Sequence, residues 1–254
     1  MSGSSVGRSP TVAVIHATPA SIEPARTALV EGFPEASVWH VLDDRLISDA
    51  EAAGGLTPAL SDRMLSLIGH AVHGGADAVL LSCSLYGPVL EQARREHGLL
   101  PMLGSDEGLF AEVARLPFGR VLLLGPLAPA VQDSAKRLKH VLSATAGAER
   151  TDVIALTVPG AATAAAHGDL DTLERALTEA ATPYLKEADA VILGMFSLAP
   201  ARGGVEKALG LPVLSAPLLA ARSLREKLAA RTDTLFSAPL FPGDRPESSA
   251  TEAW

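Results

Sequence analysis

Cysteine is almost missing from this chain, with one residue, Cys83, in 254. A lone thiol excludes an internal disulfide and supplies no thiolate set for a structural zinc site. Whatever Cys83 does, it does as a free thiol or thiolate. Aromatic residues are scarce at 4%, the net charge is −8, and like charges nowhere run together in a block. That combination argues against a nucleic-acid surface and leaves a small neutral or anionic molecule as the expected partner. No apolar run approaches the roughly 18 residues of a membrane span. The opening Met1-Ser2-Gly3-Ser4-Ser5-Val6-Gly7 lacks the charged-then-apolar build of a signal peptide, so a cytoplasmic protein with no membrane partner is expected. The pairs Gly54-Gly55, Gly74-Gly75 and Gly203-Gly204 form neither a dinucleotide fingerprint nor a phosphate loop, and read as turns. His70 and His73 sit at metal-pair spacing on one helix with no third ligand in sight. Neither cofactor nor metal is expected.

What the chain does have is apolar material, 48% of it hydrophobic, enough for one large core or two modest ones. Strand-like runs alternate with helical spacing. Residues 11–15 are β-branched and end at His16-Ala17-Thr18-Pro19, where Pro19 blocks continuation and Thr18 or Ser21 can cap the next helix. Residues 37–42 form a second apolar segment that stops at Asp43-Asp44. The spacing of Leu60, Met64, Leu67, Ile68 and Ala71 predicts a helix from about Thr57-Pro58 to Gly74-Gly75, with Pro58 suited to the first turn. A strand at 78–81 runs into Ser82-Cys83-Ser84, and a helix over about 89–97 leads to Leu100-Pro101-Met102-Leu103-Gly104. Ser105-Asp106-Glu107 looks like the cap of a further helix.

The pattern then restarts with a strand at 119–124 ending in Gly125-Pro126-Leu127. A helix through Val131, Ala135 and Leu138 comes next, then a strand at 152–158 and a helix from about Asp169 to Lys186. Ala76-Asp77-Ala78-Val79-Leu80-Leu81-Ser82-Cys83-Ser84 returns as Ala188-Asp189-Ala190-Val191-Ile192-Leu193-Gly194-Met195-Phe196. Cys83 to Met195 and Pro88 to Pro200 are each 112 positions, and Pro101 to Pro212 is 111. Anchors at so constant an offset indicate a duplication. Strands alternating with amphipathic helices predict parallel sheets covered on both faces. The expected fold class is therefore α/β, two parallel-sheet domains related by a pseudo-twofold axis with the active site in the cleft between them. Residues 11–105 would form the first half, joined by a returning helix over about 216–229, and residues 106–215 the second. Residues 1–10 and 231–254 are expected to be loosely ordered tails, with Phe236, Leu240 and Phe241 able to dock on a neighbouring surface.

In open parallel sheets ligands bind beyond the carboxyl ends of the strands. There the first half supplies the ionisable groups, and the second mostly amides and apolar wall. Cys83 ends a strand just before a helix, where N-terminal amides favour the thiolate and would lower the thiol pKa. It is either an acid, base or nucleophile in the cleft or a small buried hydrophobe. His16 ends another strand with a pKa near working pH, and either faces the same crevice or bonds a backbone carbonyl. Asp43 and Asp44 either orient His16 or end a strand and cap a helix.

The duplicated unit and the cysteine of Ala-Asp-Ala-Val-Leu-Leu-Ser-Cys-Ser resemble the aspartate/glutamate/hydantoin racemase superfamily over about residues 11–228. That resemblance implies cofactor-free racemases, isomerases or decarboxylases acting on small carboxylates in a two-domain cleft. It places Cys83 at the first-half catalytic position; His16, by its own strand-end position, is the candidate for a second acid or base. The resemblance also implies that Thr18, Ser82, Ser84, Gly125 and Ser197 grip a carboxylate. Met195 and Phe196 are expected to line the pocket from the second-half loop, and Tyr86 either lines it or is core. The chain departs from the family where a second cysteine would stand, because Met195, Phe196 and Ser197 offer no thiol. One-sided chemistry then fits better than two-thiol racemisation: decarboxylation, isomerisation through an adduct, or elimination. A small-carboxylate binding protein without turnover is the alternative, and a homo-oligomer stays open.

Overall fold

The computed structural model describes residues 8–237. Its strands are β1 (Thr11–His16), β2 (Ser37–Leu42), β3 (Ala78–Leu81), β4 (Met102–Gly104), β5 (Arg120–Gly125), β6 (Asp152–Thr157), β7 (Ala190–Leu193) and β8 (Val213–Ser215). They form two four-stranded sheets ordered β2-β1-β3-β4 and β6-β5-β7-β8, parallel throughout. The second sheet repeats the first strand for strand, as a duplication requires.

The hydrogen bonds explain why the repeated residues recur. Asp77 accepts the Thr11 N–H at 2.7 Å, and Asp189 accepts the Arg120 N–H at 2.9 Å. Each aspartate thus satisfies a donor at the start of its sheet's central strand, just where its own strand begins. The carbonyls of Pro101 and Pro212 each take a donor from the repeated strand, Val79 and Val191, at 2.9 Å. The Ser82 N–H donates to the Ile15 carbonyl and the Gly194 N–H to the Leu124 carbonyl, so both motif strands end in the same register.

Among the described residues ten α-helices cover the sheets: α1 (Ile22–Gly32), α2 (Leu46–Ala52), α3 (Pro58–His73), α4 (Val89–His97), α5 (Glu107–Arg115), α6 (Ala128–Ala144), α7 (Ala161–His167), α8 (Leu170–Ala181), α9 (Arg202–Leu209) and α10 (Ala216–Ser237). The central strands are buried on both faces, so β3 and β7 read as unbroken apolar runs rather than alternating ones. Alternation instead sorts their side chains between two clusters. Val79, Leu81 and Cys83 join one with Met64 and Met195, while Ala78 and Leu80 join the other with Leu29 and Phe196. Both clusters draw residues from both halves, so the halves share their core.

Helix α10 packs on α1 of the first half and on α5. Small residues permit that approach. A Cβ on Gly32 would meet the Ala221 Cβ at 3.0 Å, and one on Gly108 the Leu219 carbonyl oxygen at 2.8 Å.

Three expectations need correction. The tail set from residue 231 is helical to Ser237, because α10 continues past 229. The segment between Asp44 and Gly54 contains α2, too short for its period to stand out, and α7 was missed in an alanine-rich stretch that lacks contrast between faces. The long helix expected to Lys186 ends as α8 at Ala181 and passes into a tight turn over Thr182–Tyr184, where Pro183 breaks the ladder. Phe236, Leu240, Phe241 and residues 1–7 lie outside the side chains or segments described.

Candidate active site

Cys83 comes just after the end of β3 in extended conformation (φ −116°, ψ 116°) and precedes a single tight turn, Ser84–Tyr86, before α4. Its thiol is only 3% exposed. The expected lowering of its pKa does not occur. Burial pushes the thiol up to about 11, and the backbone N–H groups of Leu85 and Tyr86 offset only part of that. The cause is geometric: a three-residue turn presents two amides, not the summed dipole of a long helix. At neutral pH Cys83 is a thiol, which makes it a proton donor at rest and not a base.

His16 is fully buried, and its partners are side chains rather than the backbone carbonyl considered from sequence. Nδ1 lies 2.8 Å from the Ser21 hydroxyl and 2.9 Å from the Ser82 hydroxyl, and Nε2 lies 2.9 Å from His40 Nδ1. Ser21 donates its proton to the Thr18 carbonyl and Ser82 to the Ile15 carbonyl. The two hydroxyls also lie 3.1 Å from each other, so His16, Ser21, Ser82 and His40 form one connected hydrogen-bond network. Burial, followed by the neighbouring His40, pushes the His16 pKa down to about 3, so it does not titrate near working pH. His40, half-buried on β2, is also held below the ordinary imidazole value, chiefly by desolvation and then by Arg26.

Strand alternation separates these two groups. His16 and Ser82 turn to the α1 side of the first sheet and Cys83 to the other, so His16 bonds the residue beside Cys83 and not Cys83 itself. Ser82 is fully occupied in that network. Thr18 is half-buried, and its hydroxyl accepts the Ala20 N–H to cap the turn that opens α1. Tyr86 is core: its hydroxyl donates to the Leu46 carbonyl at 2.9 Å, and burial raises its pKa. Asp43 pairs with Arg63 at 2.6 Å instead of orienting His16, and Asp44 is exposed. His73 bonds the Gly69 carbonyl and His70 packs on Trp39, and no cluster of three metal-binding side chains exists among the described residues.

Other sequence-marked residues do meet. Ser84, Gly125 and Met195 line one narrow gap between the halves, together with Ser134 and Gly194. The Ser84 hydroxyl is buried there with no hydrogen-bond partner among the described residues, as is that of Ser105. Beyond the strand ends, a cavity of about 160 Å³ is walled by Ala50 and Leu85 of the first half and Leu127, Pro129 and Ala130 of the second, with Glu51 its one charge. Phe196 is buried in the shared core, and Ser197 is half-buried. Sequence reading missed His40 and Arg137, and took Asp106 as part of a helix cap. The last two form an ion pair between positions 31 apart, with Asp106 buried and Arg137 half-buried, which only the fold brings together.

This geometry, a thiol at the end of a central strand between two copies of one α/β unit, matches a known group. A family model for Asp/Glu/hydantoin racemases matches residues 14–224. The chain belongs to that family. Solved structures of the racemase family share its fold at low identity. A glutamate racemase from Francisella tularensis, solved with D-glutamate, superposes with a TM-score of 0.72 at 12% identity, covering 89% of this chain and 83% of that one. For an allantoin racemase from Klebsiella pneumoniae the TM-score is 0.63 at 18% identity, over 88% of this chain and 89% of that one. An unliganded arylmalonate decarboxylase gives 0.53 at 18%, over 86% of this chain and 92% of that one. Among curated proteins, none matches by sequence. No helix among the described residues is long and apolar enough to cross a membrane.

Proposed function

We propose that this racemase-family chain is a cofactor-free lyase or isomerase in which Cys83 protonates one face of a carbanion derived from a small carboxylate. The observation that carries the reading is the state of the thiol. Burial holds Cys83 protonated, with its pKa at about 11, and the loop that answers it in the other half carries Met195 in place of a second thiol. A protonated thiol with no opposing base donates a proton but does not take one from the other face.

Decarboxylation with one-sided protonation satisfies these conditions. The bond to the departing carboxylate breaks, and carbon dioxide leaves without the electron pair. That pair spreads onto an adjacent carbonyl, the Cys83 S–H delivers its proton to the carbon, and water restores the thiol. The Ser84 hydroxyl, buried without an acceptor, is suited to donate to the retained carboxylate. The Leu85, Leu127, Pro129 and Ala130 cavity suits an apolar substituent better than a second charge.

The test is incubation of small carboxylates in D₂O with NMR observation of the α-carbon. Single deuterium incorporation into one enantiomer, lost in Cys83→Ser, is the expected result. Net racemisation with two-sided exchange, or full turnover by Cys83→Ser, would overturn the assignment. A ligand that protects Cys83 from alkylation yet never exchanges or turns over would instead mark a binding protein.

A further inference from the structure

Arg137 sits on α6 of the second half, and its bonds reach back to Asp106, where the halves join, and to Ser84 of the first. Nη1 donates to Asp106 Oδ1 at 2.6 Å and Nη2 to Asp106 Oδ2 at 2.7 Å. Nη2 also donates at 3.2 Å to the carbonyl of Ser84, the residue that follows Cys83. On its own helix Asp133 accepts from Nε at 2.7 Å, and the Ser134 hydroxyl donates to Asp106 at 3.2 Å. The Phe110 ring centroid lies 5.5 Å from the guanidinium carbon. A Cβ on Gly87 would come within 3.2 Å of that same carbon, so the chain leaving the cysteine turn is bare where the guanidinium passes.

Asp106 is 2% exposed at its side chain and Arg137 26%. Such a pair is a costly way to glue two surfaces, since desolvating both charges offsets most of their attraction. A planar, bidentate contact does fix one relative position sharply. The arginine's outer side opens into a groove of about 570 Å³ between α4, α5 and α6, which also holds Arg94, Glu91, Glu107, Lys136 and His140. Water can therefore take over the guanidinium as it leaves Asp106, so separation is not into apolar core.

We propose that Arg137 is a positioning residue, a latch from the second half that holds the Cys83 loop closed and whose release from Asp106 and the Ser84 carbonyl admits substrate to the thiol. The proposal rests on the reading that Cys83 is the reacting group, because it assigns the latch the task of covering and uncovering that thiol. Cys83 is too buried for a carbon centre to reach it unless its surroundings move, and the Ser84 carbonyl, one residue on, is bonded to Arg137 of the second half.

The test needs no substrate. Alkylation of Cys83 by iodoacetamide at fixed pH, and hydrogen exchange of amides 82–87, are compared in the wild type, Arg137→Gln, Arg137→Lys and Asp106→Asn. Arg137→Gln should speed alkylation by at least about tenfold, the response to losing one charge-assisted hydrogen bond, and should lower protection at 82–87 selectively. Arg137→Lys, which keeps the charge but not the fork, should fall between. An unchanged alkylation rate, or protection lost uniformly along the chain, would overturn the latch and leave Arg137 a structural residue. Should Arg137→Gln fail to fold, Asp106→Asn applies the same criterion from the other side, with a smaller increase expected because Asp133 and the Ser84 carbonyl still hold the arginine. Full turnover by Cys83→Ser would sink the catalytic reading while leaving these alkylation results standing, so the two failures are separable.

Discussion

Replacing His16 by Asn should remove a measurable part of the protein's sensitivity to mild acid. His16 is neutral in the folded state with a pKa of about 3, against 6.5 for a free imidazole. Its folded pKa is depressed, so above 6.5 neither state is charged and the folded protein carries no penalty. As the pH falls below that value the unfolded chain takes up a proton that the folded site refuses, and stability declines until the folded pKa is reached. The slope approaches about 1.4 kcal/mol per pH unit, which amounts to about 2 kcal/mol between roughly pH 7.5 and 5. That interval lies above the range where carboxylates titrate; His40 also contributes within it, and comparison with the variant separates the two. Urea unfolding at a series of pH values measures it. His16→Asn keeps a polar group near Ser21 and Ser82 but cannot be charged, so its stability should fall by about 2 kcal/mol less than the wild type's over the interval. Parallel wild-type and variant curves would refute the burial argument and show that His16 has the same pKa folded and unfolded.

Ser84→Ala should raise stability by about 1 kcal/mol, because a buried hydroxyl without a partner is removed. The same change should weaken binding of any carboxylate that protects Cys83; loss of stability would show that the hydroxyl has a partner. Tyr86→Phe should cost about 1 to 2 kcal/mol in urea unfolding by leaving the Leu46 carbonyl without its donor, and no cost would place that carbonyl within reach of water. Gly125→Ala would bring a Cβ to 2.5 Å from Val131 Cγ2, and a loss of about 1 to 3 kcal/mol is expected from the overpacking. A neutral result there would mean that α6 yields at the second-half strand end.

The duplicated phrase was legible in the sequence because its parts do the same backbone work twice. Asp77 and Asp189 each satisfy the start of a central strand, and Pro101 and Pro212 each offer a carbonyl to the motif strand. Such local duties constrain residue type at fixed spacing, so the repeat shows them. Cys83 and Ser84 were found for the same reason, as the residues after a strand end. Short or featureless helices such as α2 and α7 left no such trace, and tertiary contacts alone stabilise them.

The protonation states could not be read along the chain. A helix N-terminus suggested a thiolate at Cys83 and an ordinary imidazole at His16; burial reversed the first and suppressed the second, because desolvation depends on what packs around a group from distant segments. The sequence by itself determined the α/β class, the twofold repeat and the position of the single thiol, all consequences of backbone pairing and spacing. Only the tertiary structure decided that His16 faces away from Cys83 toward His40, that the Ser84 hydroxyl is left without an acceptor, and that Arg137 crosses to Asp106. Those relations join residues 24 to 53 positions apart or set opposite faces of one strand against each other, and neither is encoded in local periodicity.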